Sequence, residues 1–126
     1  MRVLILPLLL ALPVPAVSAA DSSFADPSRF VATRGEDIYR GVCQGCHMPE
    51  GEGAAGAGRY PSLASNPTLE APEYAIYVVI HGQKAMPPFG ALLDDAQIAA
   101  VVEYIRTHFG NTYLDPVPPN TVKDAR

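Results

Sequence analysis

Five consecutive residues, Cys43-Gln44-Gly45-Cys46-His47, constrain this chain more than its length or composition does. Two thiols three positions apart, followed at once by an imidazole, form the C-x-x-C-H arrangement that anchors a haem covalently. Each thiol can add across one vinyl group of the porphyrin, while the adjacent His47 supplies a proximal nitrogen to the iron. A bare C-x-x-C also serves thioredoxin-like redox pairs and half zinc sites, and each of those needs something more. The chain has only two cysteines, so no second zinc pair exists, and no strand-rich βαβ pattern precedes the motif. A Cys43–Cys46 disulfide is geometrically poor across so short a loop.

The far side of such an iron takes methionine, histidine or nothing, with very different consequences. Of the three methionines, Met1 lies in the leader and Met48 follows His47 directly, too close to swing to the opposite face. Met86 remains. It sits in Gln83-Lys84-Ala85-Met86-Pro87-Pro88-Phe89-Gly90, where two prolines fix the backbone and Gly82 and Gly90 bracket a bend. A flexible core filler is the alternative role for this methionine. His81 is the rival ligand, but its place at a helix end just before Gly82 favours a solvated capping role.

Together these residues resemble a class I c-type cytochrome, over about residues 35–110. Cys43 to His47 is similar to the family's haem-binding motif, and Met86-Pro87 with the preceding Gly82 is similar to its distal-ligand loop. Tyr60-Pro61-Ser62-Leu63-Ala64-Ser65-Asn66-Pro67 is similar to the segment that, in small bacterial members, brings a proline carbonyl behind the axial histidine. The resemblance implies an all-α fold in which three main helices pack around a single haem c, attached through Cys43 and Cys46. It also implies His47 and Met86 as the iron ligands, with the Pro61 carbonyl accepting the His47 Nδ1 proton; an ordinary turn proline is the other reading of Pro61. Arg59 and Tyr60 are candidate partners for a haem propionate, or plain surface residues.

A chain of 126 residues is enough for one domain. Residues 1–20 read as a signal peptide: Arg2, an apolar run from Val3 to Val17, then Ser18-Ala19-Ala20 before Asp21. Pro7, Pro13 and Pro15 argue against a spanning helix, though an uncleaved anchor is the alternative. Export agrees with haem attachment outside the cytoplasm, so the expected location is periplasmic. Residues 21–33 read as a loosely held arm, 34–110 as the cytochrome domain, and 111–126 as a Pro-rich extension running extended over the surface or strapping onto a larger subunit.

Within the domain, a first helix is expected from about Arg34 through Gly41, with Ile38, Tyr39 and Val42 on one face. In the resembled family a glycine at the position of Gly35 lets the first and last helices cross closely. The Gly/Ala-rich stretch from Pro49 to Gly58 reads as a loop; no Gly-Lys-Ser/Thr fingerprint makes it a phosphate site. Pro72 opens a second helix that Gly82 closes, its apolar side assigned to Tyr74, Tyr77, Val78 and His81. Asp94 N-caps the last helix with Gln97 three residues on, and Ile98, Val101, Val102, Ile105 and Phe109 form its apolar stripe. That stripe is expected to bury against Ile38 and Tyr39, with Tyr104 joining the crossing.

Nine basic and thirteen acidic residues give a net charge of −4, and loss of Arg2 with the leader makes the chain more acidic still. Nucleic acid is therefore not an expected partner. An iron closed on both faces cycles between oxidation states without binding substrate, so the expected function is not enzymatic. It is single-electron transfer from a dehydrogenase to an acceptor such as an oxidase or another cytochrome. Two alternatives stay open: a haem peroxidase or gas sensor with a displaceable Met86, drafting His81 and Arg59, and an integral haem subunit of a larger oxidoreductase. Membrane contact is expected only through an uncleaved leader or through such a complex. Lys84, beside the distal loop, is a candidate partner contact or simply a solvated lysine. Phe109-Gly110-Asn111 resembles the end of haem domains in cytochrome subunits of bacterial dehydrogenase complexes.

Overall fold

Asp94 and Gln97 cap each other: the Asp94 carboxylate accepts from the Gln97 backbone N–H at 2.8 Å, and the Gln97 amide oxygen accepts from the Asp94 N–H at 2.9 Å. This capping box starts α4, Asp95–Thr107, the longest helix of the computed structural model, which describes residues 30–56 and 58–126. The expected stripe of Ile98, Val101, Val102 and Ile105 is buried, and it organises the core. Phe109 lies beyond the helix. Its backbone takes φ 59° and Gly110 takes φ 79°, a sharp turn that lays the Phe109 ring against Tyr39 at 4.9 Å between centroids.

Against α4 packs a continuous helical run made of α1, Gly35–Ile38, a π-helical turn, Tyr39–Cys43, and α2, Gln44–His47. It begins one residue later than expected and continues past Gly41 to His47, so the C-x-x-C-H motif is itself helical. Gly35 sits where the two helices cross. A Cβ there would lie 2.7 Å from Tyr104 Cβ and collide with the Ala100 carbonyl, so only glycine permits this approach. Tyr104 joins the crossing as expected, its ring 5.7 Å from that of Tyr39.

The third main helix, α3, spans Pro72–His81 with Pro72 in its first turn. Its assigned apolar side needs correction. Ala75, Ile76, Val79 and Ile80 are the buried residues, whereas Tyr74 and Tyr77 are 49% and 56% exposed. Both sets recur at helical spacing, so periodicity alone did not separate them, and the tyrosine hydroxyls favour the wet side.

The Gly/Ala-rich loop carries a two-stranded antiparallel hairpin, β1 Ala54–Ala55 with β2 Arg59–Tyr60, and a 3₁₀ turn spans Pro67–Leu69. Neither interrupts an otherwise helical fold. The extension after residue 110 is not an extended tail throughout. It includes α5, Pro119–Asp124, and buries Val117 and Val122 within the hydrophobic core, with α5 packed on α4. Arg106, fully buried, ties the extension down by donating to the Leu69, Glu70 and Asp115 carbonyls at 2.8 Å each and to the Asp115 carboxylate at 2.6 Å. Asn111 is equally committed: its amide NH₂ donates to the Leu63 and Ile105 carbonyls, and its oxygen accepts from the Asn66 N–H, all at 2.8 Å.

Of the arm read as loosely held, Phe30 and Ala32 are fixed by their carbonyls, both of which accept from the Gln97 amide at 2.7 Å. Residues 21–29, and residues 1–20, which read as a signal peptide, lie outside the described residues. Among the described residues, no helix is long and apolar enough to cross a membrane.

Candidate functional site

The π turn ends on Cys43, and α2 carries Cys46 and His47 to the end of the helical run. Met48 terminates it with φ 68°. The Tyr39 hydroxyl donates to the Met48 carbonyl at 2.7 Å, stapling this end of the motif to the core. Burial above all, with Cys43 nearby, pushes the Tyr39 phenol up to about 12, so it remains a neutral donor.

From Met48 the chain folds back beneath the histidine. Gly51 N–H donates to the Met48 carbonyl at 3.1 Å and Gly53 N–H to the His47 carbonyl at 3.0 Å. The Gly51 carbonyl in turn accepts from Leu63 at 2.7 Å and Ala64 at 3.1 Å. Gly53, at φ 69°, lets residues 60–62 pass so closely that a Cβ would lie 2.8 Å from the Pro61 carbonyl carbon. The result is that Pro61 O sits 2.9 Å from His47 Nδ1. Carbonyl oxygen only accepts, so the proton is on Nδ1 and the Nε2 lone pair is left available. The importance of Gly51 and Gly53 was not legible beforehand; their sequence signal, glycines shortly after the motif, is shared by any loop.

Both thiols are free, Cys43 partly buried and Cys46 exposed. Burial, reinforced by Cys46, pushes the Cys43 thiol up to about 12. A raised value disfavours the thiolate at Cys43, so this sulfur is not an activated nucleophile. Among the described residues, no group of three or more His, Cys, Asp or Glu could hold a metal ion, which leaves the zinc reading without ligands.

Met86 stands, half-buried, in a loop pinned at both ends. Gln83 and Met86 exchange backbone hydrogen bonds at 3.0 and 2.9 Å, and the Phe89 and Gly90 N–H groups return to the Val79 and Ile80 carbonyls of α3 at 2.9 and 3.1 Å. Gly82, at φ 73°, makes the close passage possible: a Cβ would lie 2.8 Å from Pro88 N. Lys84 is exposed on the same loop with φ 54°. His81 turns away toward the extension, its Nε2 3.3 Å from the Ala125 carbonyl and its ring 4.5 Å from that of Tyr77. Arg59 and Tyr60 are exposed on β2, adjacent in sequence to Pro61.

This donor set fits a covalently held haem: two free thiols on one helical run, an imidazole oriented through its Nδ1, and a soft thioether in a restrained loop. Comparison with known proteins points the same way. Residues 31–105 match the family described as cytochrome c oxidase, cbb3-type, subunit III. The chain is 32% identical over 125 residues to the fructose dehydrogenase cytochrome subunit of Gluconobacter japonicus, covering 87% of this chain and 25% of that protein. It is 37% identical over 90 residues to the cytochrome c subunit of a quinone-type alcohol dehydrogenase from Komagataeibacter europaeus, covering 61% and 19%. It is also 32% identical over 80 residues to cytochrome c6 of Diacronema lutheri, covering 60% of this chain and 94% of that protein. The chain therefore spans a quarter or less of these two dehydrogenase subunits and nearly all of the small cytochrome.

Proposed function

The chain belongs to the class I c-type cytochromes, and from that premise we propose that it is an exported electron carrier whose iron is held between His47 and Met86 and which serves a dehydrogenase. As a family member it carries haem c bound through Cys43 and Cys46, and it transfers electrons rather than transforming a substrate. The haem supplies an iron that accepts and returns one electron. The protein's residues set the terms of that exchange.

The observation that carries the ligand reading is the His47–Pro61 hydrogen bond of 2.9 Å. By holding the Nδ1 proton, Pro61 fixes the tautomer and ring orientation and makes Nε2 a better donor to metal. Met86 supplies a thioether, whose softness favours the reduced metal and raises the potential. The pinned loop favours Met86 over a mobile or absent ligand, which argues against the peroxidase or gas-sensor reading. His81, engaged with Ala125 and Tyr77, is the weaker rival.

Periplasmic location rests on the leader and on the extracytoplasmic chemistry of haem attachment. A dehydrogenase donor is supported by the names of the relatives; the acceptor is a further redox protein, an oxidase or another cytochrome. The same relatives, much longer than this chain, support a second reading in which it works as the haem-bearing part of a dehydrogenase complex. Co-purification with a dehydrogenase subunit would select that reading, and monomeric elution at physiological salt would select the shuttle.

The ligand assignment is tested on the oxidised protein made with a haem-maturation system. The spectrum should carry the weak red band of a sulfur–iron(III) bond, and Met86→Ala should abolish it. Persistence of the band in the variant would remove Met86 from the iron.

A further inference from the structure

The neck of the Met86 loop is closed from two sides. On one side Gly90 N–H donates to the Ile80 carbonyl at the end of α3. On the other, the Arg126 guanidinium spreads across the far edge: Nη1 donates to the Gly90 carbonyl, Nη2 to the Leu93 carbonyl at 2.9 Å, and Nε to the Asp95 carboxylate in the first turn of α4. Gly90 is thus held through both its donor and its acceptor. A Cβ at Gly90 would lie 2.9 Å from Ile80 O and 3.4 Å from Arg126 Nη1, so the residue is fitted between the two.

We infer that Arg126 is a positioning residue for the distal ligand, a three-pronged clamp by which the C-terminal segment holds the loop bearing Met86 shut. The inference rests on Met86 being that ligand. Three features suit Arg126 to the task. Its planar fork presents donors in fixed directions, which matches two carbonyls and a carboxylate and which a lysine ammonium does not reproduce. It is delivered by α5, whose Val122 is fully buried, so the guanidinium approaches the loop from a fixed base. His81 at the end of α3 meets the same segment through the Ala125 carbonyl, so the helix before the loop and the neck after it converge on consecutive residues.

Loss of the clamp should act locally. The hydrogen bonds at the neck are the protein contacts that resist a local opening of this loop, so their loss should act on the loop before it acts on the core. The Arg126–Asp95 pair is partly exposed and adds little by itself. The charged hydrogen bonds to the Gly90 and Leu93 carbonyls carry the effect.

The test compares the wild-type holoprotein with Arg126→Ala and Arg126→Lys. Imidazole binds oxidised iron only when the distal ligand leaves, so its affinity reports loop opening. Arg126→Ala should bind imidazole about tenfold more tightly, and the Phe89 and Gly90 amides should exchange hydrogen faster by a similar factor, with core amides of α4 unchanged. Arg126→Lys should recover part of both effects. Imidazole affinity within about twofold of wild type, or faster exchange spread evenly through the chain, would overturn the inference, the latter by reducing Arg126 to general stability. If the wild-type spectrum lacks the sulfur band, the Met86 assignment falls by itself, and unchanged Phe89 and Gly90 exchange would sink the clamp independently.

Discussion

Arg106 is a cation in the last turn of α4, yet its side chain is 0% exposed and holds three separate carbonyls. Arg106→Met keeps much of the volume and removes every donor. The Leu69, Glu70 and Asp115 carbonyls then lose a charged partner, and hydrogen bonds to charged groups contribute about 1.5 to 3 kcal/mol each when taken singly. Relaxation and water entry at the Asp115 end reduce the total, so a loss of about 4 kcal/mol is expected, within the range for breaking a buried charged network. For a domain of this size that is a fall in Tm of well over 10 °C, read by far-UV circular dichroism or denaturant titration. The carboxylate of Asp115 is a lesser contributor, because its side chain is 68% exposed and solvent screens the pair. Asp115→Asn retains the backbone acceptor at 115 and should cost much less than Arg106→Met. Its effect should instead appear in acid. The Arg106 hydrogen bond holds the Asp115 carboxyl below its ordinary value of 3.8, so its contribution is present above that pH and lost as pH falls through the lowered value. Asp115→Asn should remove this slope. If Asp115→Asn proved as damaging at neutral pH as Arg106→Met, the ion pair and not the carbonyl clamp would be holding the extension.

Gly35→Ala should separate the α1 and α4 helices and cost about 1 to 3 kcal/mol, less whatever helix propensity alanine returns; equal or higher stability on denaturation would refute the close crossing. Tyr39→Phe should lose about 1 kcal/mol at neutral pH with the bond to Met48 O. Because burial raises the Tyr39 phenol from 10.0 to about 12, the wild type should lose stability as pH rises through that window, and the phenylalanine variant should show a flatter decline there.

How much of this was legible in the sequence varied with how local the cause is. The α4 helix announced itself through Asp94, Gln97 and four apolar residues at helical spacing, all of which act within the segment. The C-x-x-C-H motif and the Met86 loop were readable because their chemistry is written in consecutive residues. The buried face of α3 was not, since Tyr74, Tyr77 and Val78 satisfy the same period as Ala75, Ile76, Val79 and Ile80, and only tertiary packing chooses between them. Nor was the folding of the extension: its prolines signal extended chain, but the burial of Val117 and Val122 and the reach of Arg106 from another helix outweigh that local preference. The π turn left no local mark at all.

That turn has a geometric consequence for how the motif is aimed. Gly35 and Ile38 must look toward α4, while His47, farther along the same rod, must look toward Pro61. An ordinary helix advances by about 100° per residue, and a wider turn absorbs one residue without that advance. The segment from Tyr39 to Cys43 therefore works as a phase correction, letting one rod address two neighbours whose bearings do not otherwise coincide. The number of residues between Gly35 and Cys43 is in this sense a setting: one fewer would turn the segment into ordinary helix with the sulfurs and the imidazole near their present bearing, whereas a second deletion would swing them through roughly a quarter of a revolution while the anchor end stayed where it is.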